Sequence, residues 1–409
     1  MMEYQLIEGG VCAAKGFQAS GVHCGIRKNH TKKDLALVFS EAPCTAAAIY
    51  TQNKVKGAPL TVTKNHIANG YAQGLLCNSG NANTCNADGE EVAEKMCGYA
   101  AAALGISAQD MIIASTGVIG QPLPLEPIEK AMPVLAKGLR ADNTGSWDAA
   151  EAIMTTDTKV KQAAAAFTAG GKACAVGGIC KGSGMVHPNM CTMLCFVTTD
   201  AAISPDMLRQ ACKEVADETF NMISVDGDTS TNDMLTVMAN GLAGNPEITG
   251  PGADYEAFKG AMMAVCRLLA REMAADGEGA SKLLECNVDG APDTACAKTI
   301  AKSVICSSLL KAAMFGADAN WGRVLCAIGY ADADFDIAKT EVSFASAKGG
   351  IKVCENGAGI AFDEDKAKEI LLEDEIKINI SLHQGNGTAT AWGCDLTYDY
   401  VKINGDYRT

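Results

Sequence analysis

The most informative segment of this chain reads Lys181-Gly-Ser-Gly-Met-Val-His-Pro-Asn-Met-Cys-Thr-Met-Leu-Cys-Phe-Val-Thr-Thr-Asp200. Glycines and a Pro188-Asn189 pair make its first half a turn, and the apolar run 193–197 in its second half predicts a short buried strand. Thr192 stands where the turn becomes a strand, so a rigid element would hold its hydroxyl as a nucleophile requires. Taken alone, the segment favours a simpler interpretation, in which a glycine loop enters a core strand and Thr192 only fits that strand.

The size and charge of the chain limit its organisation and its partners. Its 409 residues exceed the usual size of one domain, so we expect two or more packed units. Hydrophobic residues make up 48% of the sequence, which is enough apolar material for a sizeable core. The net charge of −14 and the pI near 4.9 argue against nucleic acid or an anionic membrane as a partner. No apolar run is long enough to span a bilayer.

The 18 cysteines show no metal-binding or redox pattern. None are spaced as Cys-x-x-Cys, and no group of them matches a zinc site. Many lie at predicted core positions, where free cysteine packs as a small hydrophobic residue; examples are Cys97, Cys212, Cys266 and Cys306. The first ten residues do not resemble a secretory signal, so we expect a cytoplasmic protein with reduced thiols.

Local patterns predict the main secondary-structure elements. Apolar or alternating runs predict strands at 35–39, 46–50, 111–114 and 376–382, with 389–400 returning as strands. Amphipathic periodicity predicts helices at 90–104, 147–154, 255–275 and near 294–314, and one that begins at Ser204-Pro205. Pro122, Pro124 and Pro127 indicate a rigid connector. The small residues of 163–167 and 170–178 indicate close backbone approach near Lys181.

Two polar segments follow predicted strands. Asn78–Asn83 is a dense polar turn, and asparagine side chains in such turns usually satisfy the local backbone. Thr116-Gly117 can present a hydroxyl and backbone N–H groups to an anion. Such a pair is more often a simple turn, so on its own it does not identify a site.

Two acidic segments also admit more than one interpretation. Asp226–Asp233 resembles a calcium loop, but it lacks a glycine at the sixth position and a glutamate at the twelfth. We therefore reject an EF-hand and favour a polar turn with internal side-chain hydrogen bonds. Glu278 stands between two glycines, where it is either a solvated tip or a placed ligand-binding group.

The usual catalytic motifs do not occur in the sequence. The five histidines are scattered, with no Gly-x-Ser-x-Gly elbow, no Gly-x-Gly-x-x-Gly fingerprint and no P-loop. An enzyme without these motifs can still activate a threonine by freeing the α-amine of the same residue as the local base. The ordinary pKa of such an amine, about 8, keeps its neutral form accessible at physiological pH.

Several motifs together resemble the ornithine acetyltransferase family, also called the arginine-biosynthesis bifunctional glutamate N-acetyltransferases. The longest are Thr155–Thr158, Lys181-Gly-x-Gly-Met with 188–194, Asp226–Asp233 and Gly277–Ala280. Asn78–Asn83, Asp318–Arg323 and Asn404–Thr409 also match, so the resemblance covers essentially the whole chain.

The resemblance implies a fold and a processing event. The fold is a mixed α/β sandwich of the αββα type, similar to the N-terminal nucleophile hydrolases but with different connectivity. A C-terminal α/β subdomain of about 285–409 is added to it. The precursor is expected to cut itself before Thr192 into an α chain of 1–191 and a β chain of 192–409, which assemble as α2β2. Residue Cys191 departs from the family, where alanine usually precedes the cut.

The resemblance also assigns roles to single positions. Thr192 is the nucleophile, and Thr116 and Gly117 form the oxyanion hole. Other positions are expected to contact substrate: Thr155, Lys181, Glu278, Asn404 and Thr409. No metal and no cofactor are implied, and the sequence leaves open whether acetyl-CoA is a second acetyl donor.

The reaction implied is transfer of an acetyl group from N2-acetylornithine to glutamate through a Thr192 acyl-enzyme, in arginine biosynthesis. We assign the substrate α-carboxylate to Lys181 and the ornithine side-chain ammonium to Glu278. One alternative is an N-terminal nucleophile amidase or aminopeptidase, which would release free acetate. The other is an unprocessed binding or structural protein, against which the intact Thr192, Thr116 and Lys181 argue.

Overall fold

The computed structural model describes residues 4–187 and 193–405. Cys191, Thr192 and Thr409 therefore lie outside the described residues. The strands are β1 (Tyr4–Ile7), β2 (Phe17–Val22), β3 (Leu35–Tyr50), β4 (Tyr71–Asn81), β5 (Met111–Val118), β6 (Lys161–Ala169), β7 (Lys172–Lys181), β8 (Leu194–Thr199), β9 (Ile223–Ser224), β10 (Met234–Ala239), β11 (Leu283–Ala291), β12 (Glu341–Ser346), β13 (Gly349–Glu355), β14 (Ala358–Gly359), β15 (Glu375–Ser381) and β16 (Gly387–Cys394).

The helices pack on the strands and cover their apolar faces. They are α1 (Ala58–His66), α2 (Gly89–Leu104), α3 (Leu125–Lys137), α4 (Asn143–Ile153), α5 (Pro205–Glu218), α6 (Ala253–Ala275), α7 (Thr294–Cys306), α8 (Ser308–Phe315), α9 (Trp321–Gly329), α10 (Glu364–Leu371) and α11 (Tyr398–Asn404). Within the described ranges, none of them has both the length and the apolar character that a bilayer crossing requires.

The first sheet joins the two halves of the sequence. Its order is β1-β6-β7-β8-β10-β3-β4-β5, with β2 paired to β3. Strand β8 is antiparallel to β7 and parallel to β10, and β10 is antiparallel to β3. Strands β8 and β10, which follow the predicted cut, therefore lie between strands that precede it in one hydrogen-bonded sheet.

Small residues allow close packing in the first sheet, as predicted for the region before Lys181. A Cβ built on Gly177 of β7 would lie 1.9 Å from the carbonyl oxygen of Gly10. A side chain at this position would therefore push the N-terminal segment away from the sheet.

The second sheet has the order β14-β13-β12-β15-β11-β16-β9. In β15, Ile376, Ile378 and Ile380 are buried, as their alternation predicted. Helix α6 packs on β6 and β7 of the first sheet and also contacts β16 of the second. One continuous apolar cluster runs from β8 and β10 through α6 to β11 and β15. The predicted mixed α/β class is confirmed, while the division of the chain near residue 285 stays a prediction.

Most helix predictions are confirmed because they follow local chemistry. Helix α2 begins one residue before the predicted range and ends at the predicted residue, with Gly105 in the left-handed conformation after it. Helix α5 begins at Pro205, and the Ser204 side chain accepts a hydrogen bond from the Met207 N–H. The single helix predicted near 294–314 is two helices, because the Ser307 hydroxyl starts a new one by capping the Leu310 N–H.

Three other predictions need correction. Residues 35–39 and 46–50 belong to one long strand, β3, whose register shifts in the middle. The proline-rich segment is only partly a connector, because Pro127 lies in the first turn of α3, where a missing N–H is tolerated. Residues 398–400 are helical rather than extended, because the Thr397 side chain accepts a hydrogen bond from the Tyr400 N–H and caps α11.

Candidate active site

Strands β5 and β7 bring Thr116 and Lys181 together. Lys181 is the last residue of β7, and its Nζ donates to the Thr116 Oγ1 at 3.4 Å. It pairs across the ladder with Leu194, the first residue of β8. Leu194 follows the predicted nucleophile by two positions, so the described start of β8 lies beside the predicted oxyanion threonine.

Gly117 has a backbone conformation that suits a glycine. Its φ is +134°, and a Cβ there would lie 2.3 Å from the carbonyl carbon of Gly80 in the neighbouring strand. Thr116 and Gly117 are both half-buried at the open end of β5. The pair is therefore more than a surface turn, although its role as an oxyanion hole stays a prediction.

Lys181 belongs to a buried ionic network. Its side chain is 7% exposed, and burial lowers its pKa below the ordinary value, although Asp157 opposes this shift. Burial alone would raise the pKa of Asp157, but the charges of Lys161 and Lys181 hold it well below its usual range. The Lys161 Nζ lies 2.8 Å from Asp157 Oδ1 and 2.6 Å from Asp276 Oδ2.

The same network fixes the backbone around predicted substrate residues. Asp157 accepts hydrogen bonds from the N–H groups of Thr155, at 2.9 Å, and Gly182, at 2.8 Å. Sequence reasoning quoted Asp157 only within a motif and did not identify Lys161. A signal was available, because Lys161 precedes an alanine-rich strand that is expected to be buried. A lysine buried there needs an acidic partner nearby.

Glu278 is a placed group, so the solvated-tip interpretation is wrong. Its side chain is 7% exposed, and Asn404 Nδ2 donates to its Oε2 at 2.7 Å. Its carboxylate lies where a Gly184 side chain would stand, 2.2 Å from the built Cβ position. Glu278 and Asn404, which are far apart in sequence, are thus brought together near the end of β7. Their contact with substrate stays a prediction.

A small cavity of about 20 Å³ lies between β5, β7 and β8, and its lining includes Thr116, Lys181, Gly184, Met193 and Asp233. Asp233 is 2% exposed, and burial raises its pKa well above the ordinary value. Within the described residues, its Oδ2 has no hydrogen-bond partner. Sequence reasoning placed Asp233 in a polar turn and missed this environment.

A larger cavity of about 500 Å³ opens beside Gly117 and Thr155, two predicted site residues. Its wall also contains Arg27, Lys28 and Lys32, which sequence reasoning did not identify. Basic residues in a loop between strands carry no motif, so no local signal pointed to them.

The turn predicted at Asn78–Asn83 needs correction, because residues 78–81 belong to strand β4, although its asparagine side chains do bond to the local backbone as expected. Asn78 Nδ2 donates to the Asn81 carbonyl, and Asn81 Oδ1 accepts from the Asn83 N–H, both within one segment.

Of the four cysteines named as core residues, three are buried, whereas Cys306 is partly exposed and its Sγ lies 3.4 Å from His187 Nδ1. In the ranges 4–187 and 193–405, no three histidine, cysteine or acidic side chains are grouped to hold a metal ion.

A threonine–glycine pair, a buried lysine and a buried carboxylate thus meet near the end of β7 in a mixed α/β fold. Hydroxyl and backbone N–H donors beside a buried cation are groups that acyl-transfer enzymes direct at developing negative charge, so the fold and the site together indicate an enzyme of acyl transfer.

Comparison with known proteins identifies the family. Residues 18–409 match the model of the ArgJ family. The arginine biosynthesis bifunctional protein ArgJ of Symbiobacterium thermophilum is 51% identical over 405 residues, covering 98% of this chain and 99% of that protein. The chain therefore belongs to the ArgJ family. The predictions of an enzyme and of an acyltransferase of arginine biosynthesis are confirmed.

Two solved structures each match about half of the chain. ArgJ from Bacillus halodurans is 46% identical and covers 51% of this chain and 97% of its own, with a TM-score of 0.49. Ornithine acetyltransferase from Mycobacterium tuberculosis, solved in complex with ornithine, is 33% identical. It covers 47% of this chain and 100% of its own, with a TM-score of 0.42.

Proposed function

We propose that this protein transfers an acetyl group from N2-acetylornithine to glutamate through a Thr192 acyl-enzyme in the cytoplasm. Membership of the ArgJ family supports the proposal at the level of the pathway. The observation that carries it is the contact between Lys181 and Thr116 beside the start of β8, two residues after Thr192. A small substrate bound there would meet the Thr116 hydroxyl and the Lys181 cation together, close to where β8 begins.

The first part of the proposal is self-cleavage between Cys191 and Thr192. The threonine Oγ attacks the Cys191 carbonyl, the peptide nitrogen leaves as the Thr192 amine, and water then hydrolyses the ester. The approach to the junction supports this step. Met185 has φ +54°, and Asp226 accepts hydrogen bonds from the N–H groups of Met185, at 2.6 Å, and Val186, at 2.8 Å. Such a backbone costs roughly 1–3 kcal/mol and persists only where the surrounding fold holds it.

The second part is acetyl transfer. The freed amine accepts the hydroxyl proton as Oγ attacks the acetamide carbonyl, and the Thr116 hydroxyl and the Gly117 N–H stabilise the oxyanion. The proton passes to the leaving nitrogen, ornithine departs, and an acetyl ester remains. The glutamate amine then attacks this ester and restores the free hydroxyl. No cofactor enters these steps.

The third part is substrate recognition. Lys181 attracts the α-carboxylate that both amino acids share, and Glu278 with Asn404 accepts the ornithine ammonium. Thr155 and Thr409 complete the contacts. The low exposure of Lys181 and Glu278 supports this placement, because charges shielded from water interact more strongly with a charged ligand.

Substitution of Thr192 tests the proposal. Denaturing gels of the wild type should show two bands, and sequencing should start one of them with Thr-Met-Leu-Cys-Phe. Thr192→Ala should give one full-length band and no transfer, whereas Thr192→Ser should keep some of both because its hydroxyl and amine survive. Continued cleavage of the alanine variant would require a separate protease.

Product analysis completes the test. Glutamate-dependent formation of N-acetylglutamate supports the transferase, and release of free acetate instead would identify an amidase. Incubation with acetyl-CoA and glutamate establishes whether acetyl-CoA is a second donor.

A further inference from the structure

The cavity beside Gly117 has an unusual charge for this protein. Its wall carries Arg27, Lys28 and Lys32, and no aspartate or glutamate is among its described lining residues. The whole chain has a net charge of −14, so a cavity with three cations and no acid is an exception. Its volume of about 500 Å³ is sufficient for a small ligand.

The loop that carries Arg27 is fixed to the sheet. The fully buried carboxylate of Asp34 accepts hydrogen bonds from the N–H groups of Cys24, at 2.5 Å, and Arg27, at 3.0 Å. The aliphatic stem of Arg27 packs on Gly80, whose built Cβ would lie 2.8 Å from the Arg27 Cγ. Because Gly80 pairs with Gly117, this arginine lies next to the predicted oxyanion residue.

The two amino acids of the proposed reaction differ at their side-chain ends. Ornithine ends in an ammonium group, which suits Glu278, whereas glutamate ends in a carboxylate, which the same Glu278 would repel. A single wall cannot favour both charges. The acceptor therefore needs a cationic surface within reach of the same nucleophile.

We propose that the cavity lined by Arg27, Lys28 and Lys32 binds the side-chain carboxylate of the glutamate acceptor. The active site then separates its two substrates by charge, with Glu278 for the donor side chain and the cationic cavity for the acceptor side chain. The inference rests on the proposed function.

Separate assays of the two half-reactions distinguish the role of Glu278 from that of the cationic cavity. The test variant is Lys28→Gln/Lys32→Gln, because both side chains are exposed and their loss leaves the packing of Arg27 intact. The matched control is Lys348→Gln/Lys368→Gln, which removes the same charge from exposed positions near the second sheet. Each protein is assayed for ornithine release from N2-acetylornithine in a single turnover. Each is then assayed for steady-state transfer to glutamate and to its neutral analogue glutamine.

We expect the test variant to raise the KM for glutamate about tenfold, because hydrogen bonds to charged groups are lost. Its single-turnover ornithine release and its use of glutamine should match the control. The preference for glutamate over glutamine should therefore fall. Arg27→Gln should lower this preference further.

Three results would overturn the inference. One is an unchanged KM for glutamate, and another is an equal loss with glutamate and glutamine. The third is a loss of acetyl transfer from acetyl-CoA with unchanged transfer from N2-acetylornithine. This result would mean that the cavity binds the phosphate groups of acetyl-CoA. Absence of ornithine release by the wild type is a distinct result, because it would overturn the proposed function itself and the inference with it.

Discussion

Gly117 occupies a backbone position that a side chain would disrupt. With φ at +134° and a built Cβ 2.3 Å from a neighbouring backbone carbon, an alanine must displace the end of β5 or β4. We expect Gly117→Ala to lower the free energy of unfolding by roughly 1–3 kcal/mol and to abolish acetyl transfer. Thermal unfolding and single-turnover ornithine release measure the two effects.

Gly98 in the middle of α2 is the matched control. A Cβ there meets no atom within 4 Å, so Gly98→Ala should raise the free energy of unfolding by about 0.5–1 kcal/mol. Full activity and stability in the Gly117 variant would exclude the close approach seen at Gly80.

Asp233 should make the protein less stable as the pH rises. Its pKa is raised well above the ordinary value by burial, so the unfolded chain releases this proton near pH 4 and the folded protein releases it later. The unfolded state therefore binds fewer protons, and stability falls with increasing pH in this range. Asp233→Asn removes the ionisation and should raise the midpoint of thermal unfolding at pH 8 more than at pH 5.5.

The neighbouring Asp228 provides the comparison, because its side chain is exposed. Asp228→Asn should change the midpoint little at either pH. A stabilisation by Asp233→Asn that grows as the pH falls would show that the buried carboxyl group is charged rather than neutral.

At the scale of elements, one lysine links β6, the segment that precedes it and the end of α6. Lys161 bonds to Asp157 and Asp276, and all three side chains are buried. Lys161→Met would leave two buried carboxylates without their cation, and we expect a loss of about 3–5 kcal/mol in the free energy of unfolding. Urea unfolding measures this loss.

The exposed pair of Lys95 and Glu91 on α2 is the control for this ion pair. Lys95→Met should leave stability nearly unchanged, because solvent screens such pairs. Equal effects of the two substitutions would mean that the buried network is not stabilising. The network also orients the N–H of Thr155, so the Lys161 variant should raise the KM for N2-acetylornithine if it folds.

At the scale of the whole molecule, the predicted cut divides a single sheet. Strands β8 and β10 follow the cut, yet they lie between β7 and β3, which precede it. Separation of the fragments would break both ladders and open the core, so we expect the two bands of a denaturing gel to co-elute in native chromatography. The expected α2β2 assembly has twice the 42.4 kDa mass of the chain by light scattering. A mass near 42.4 kDa would contradict α2β2, and separation without denaturant would contradict the shared sheet.

Local patterns in the sequence predicted many of the helices and strands of this protein. The apolar periodicity of α2 and α6, the Ser204-Pro205 start of α5 and the alternation of β15 all record which side of an element is buried. Side chains three or four apart on a helix, or two apart on a strand, share a face whatever the rest of the chain does. The long motifs around Lys181, Asp226 and Glu278 likewise identified the family before any contact was known.

Contacts between distant segments required the folded chain. Nothing local indicated that Lys161 would meet Asp276, that Asn404 would reach Glu278, or that Arg27 would pack beside Gly80. The same holds for residues 398–400, whose two tyrosines suit a strand until Thr397 caps a helix. A sequence pattern reports the environment of one face of one element, whereas the order of strands in a sheet sets which faces meet. The pairing of buried charges, and with it the shape of the candidate site, depends on that order.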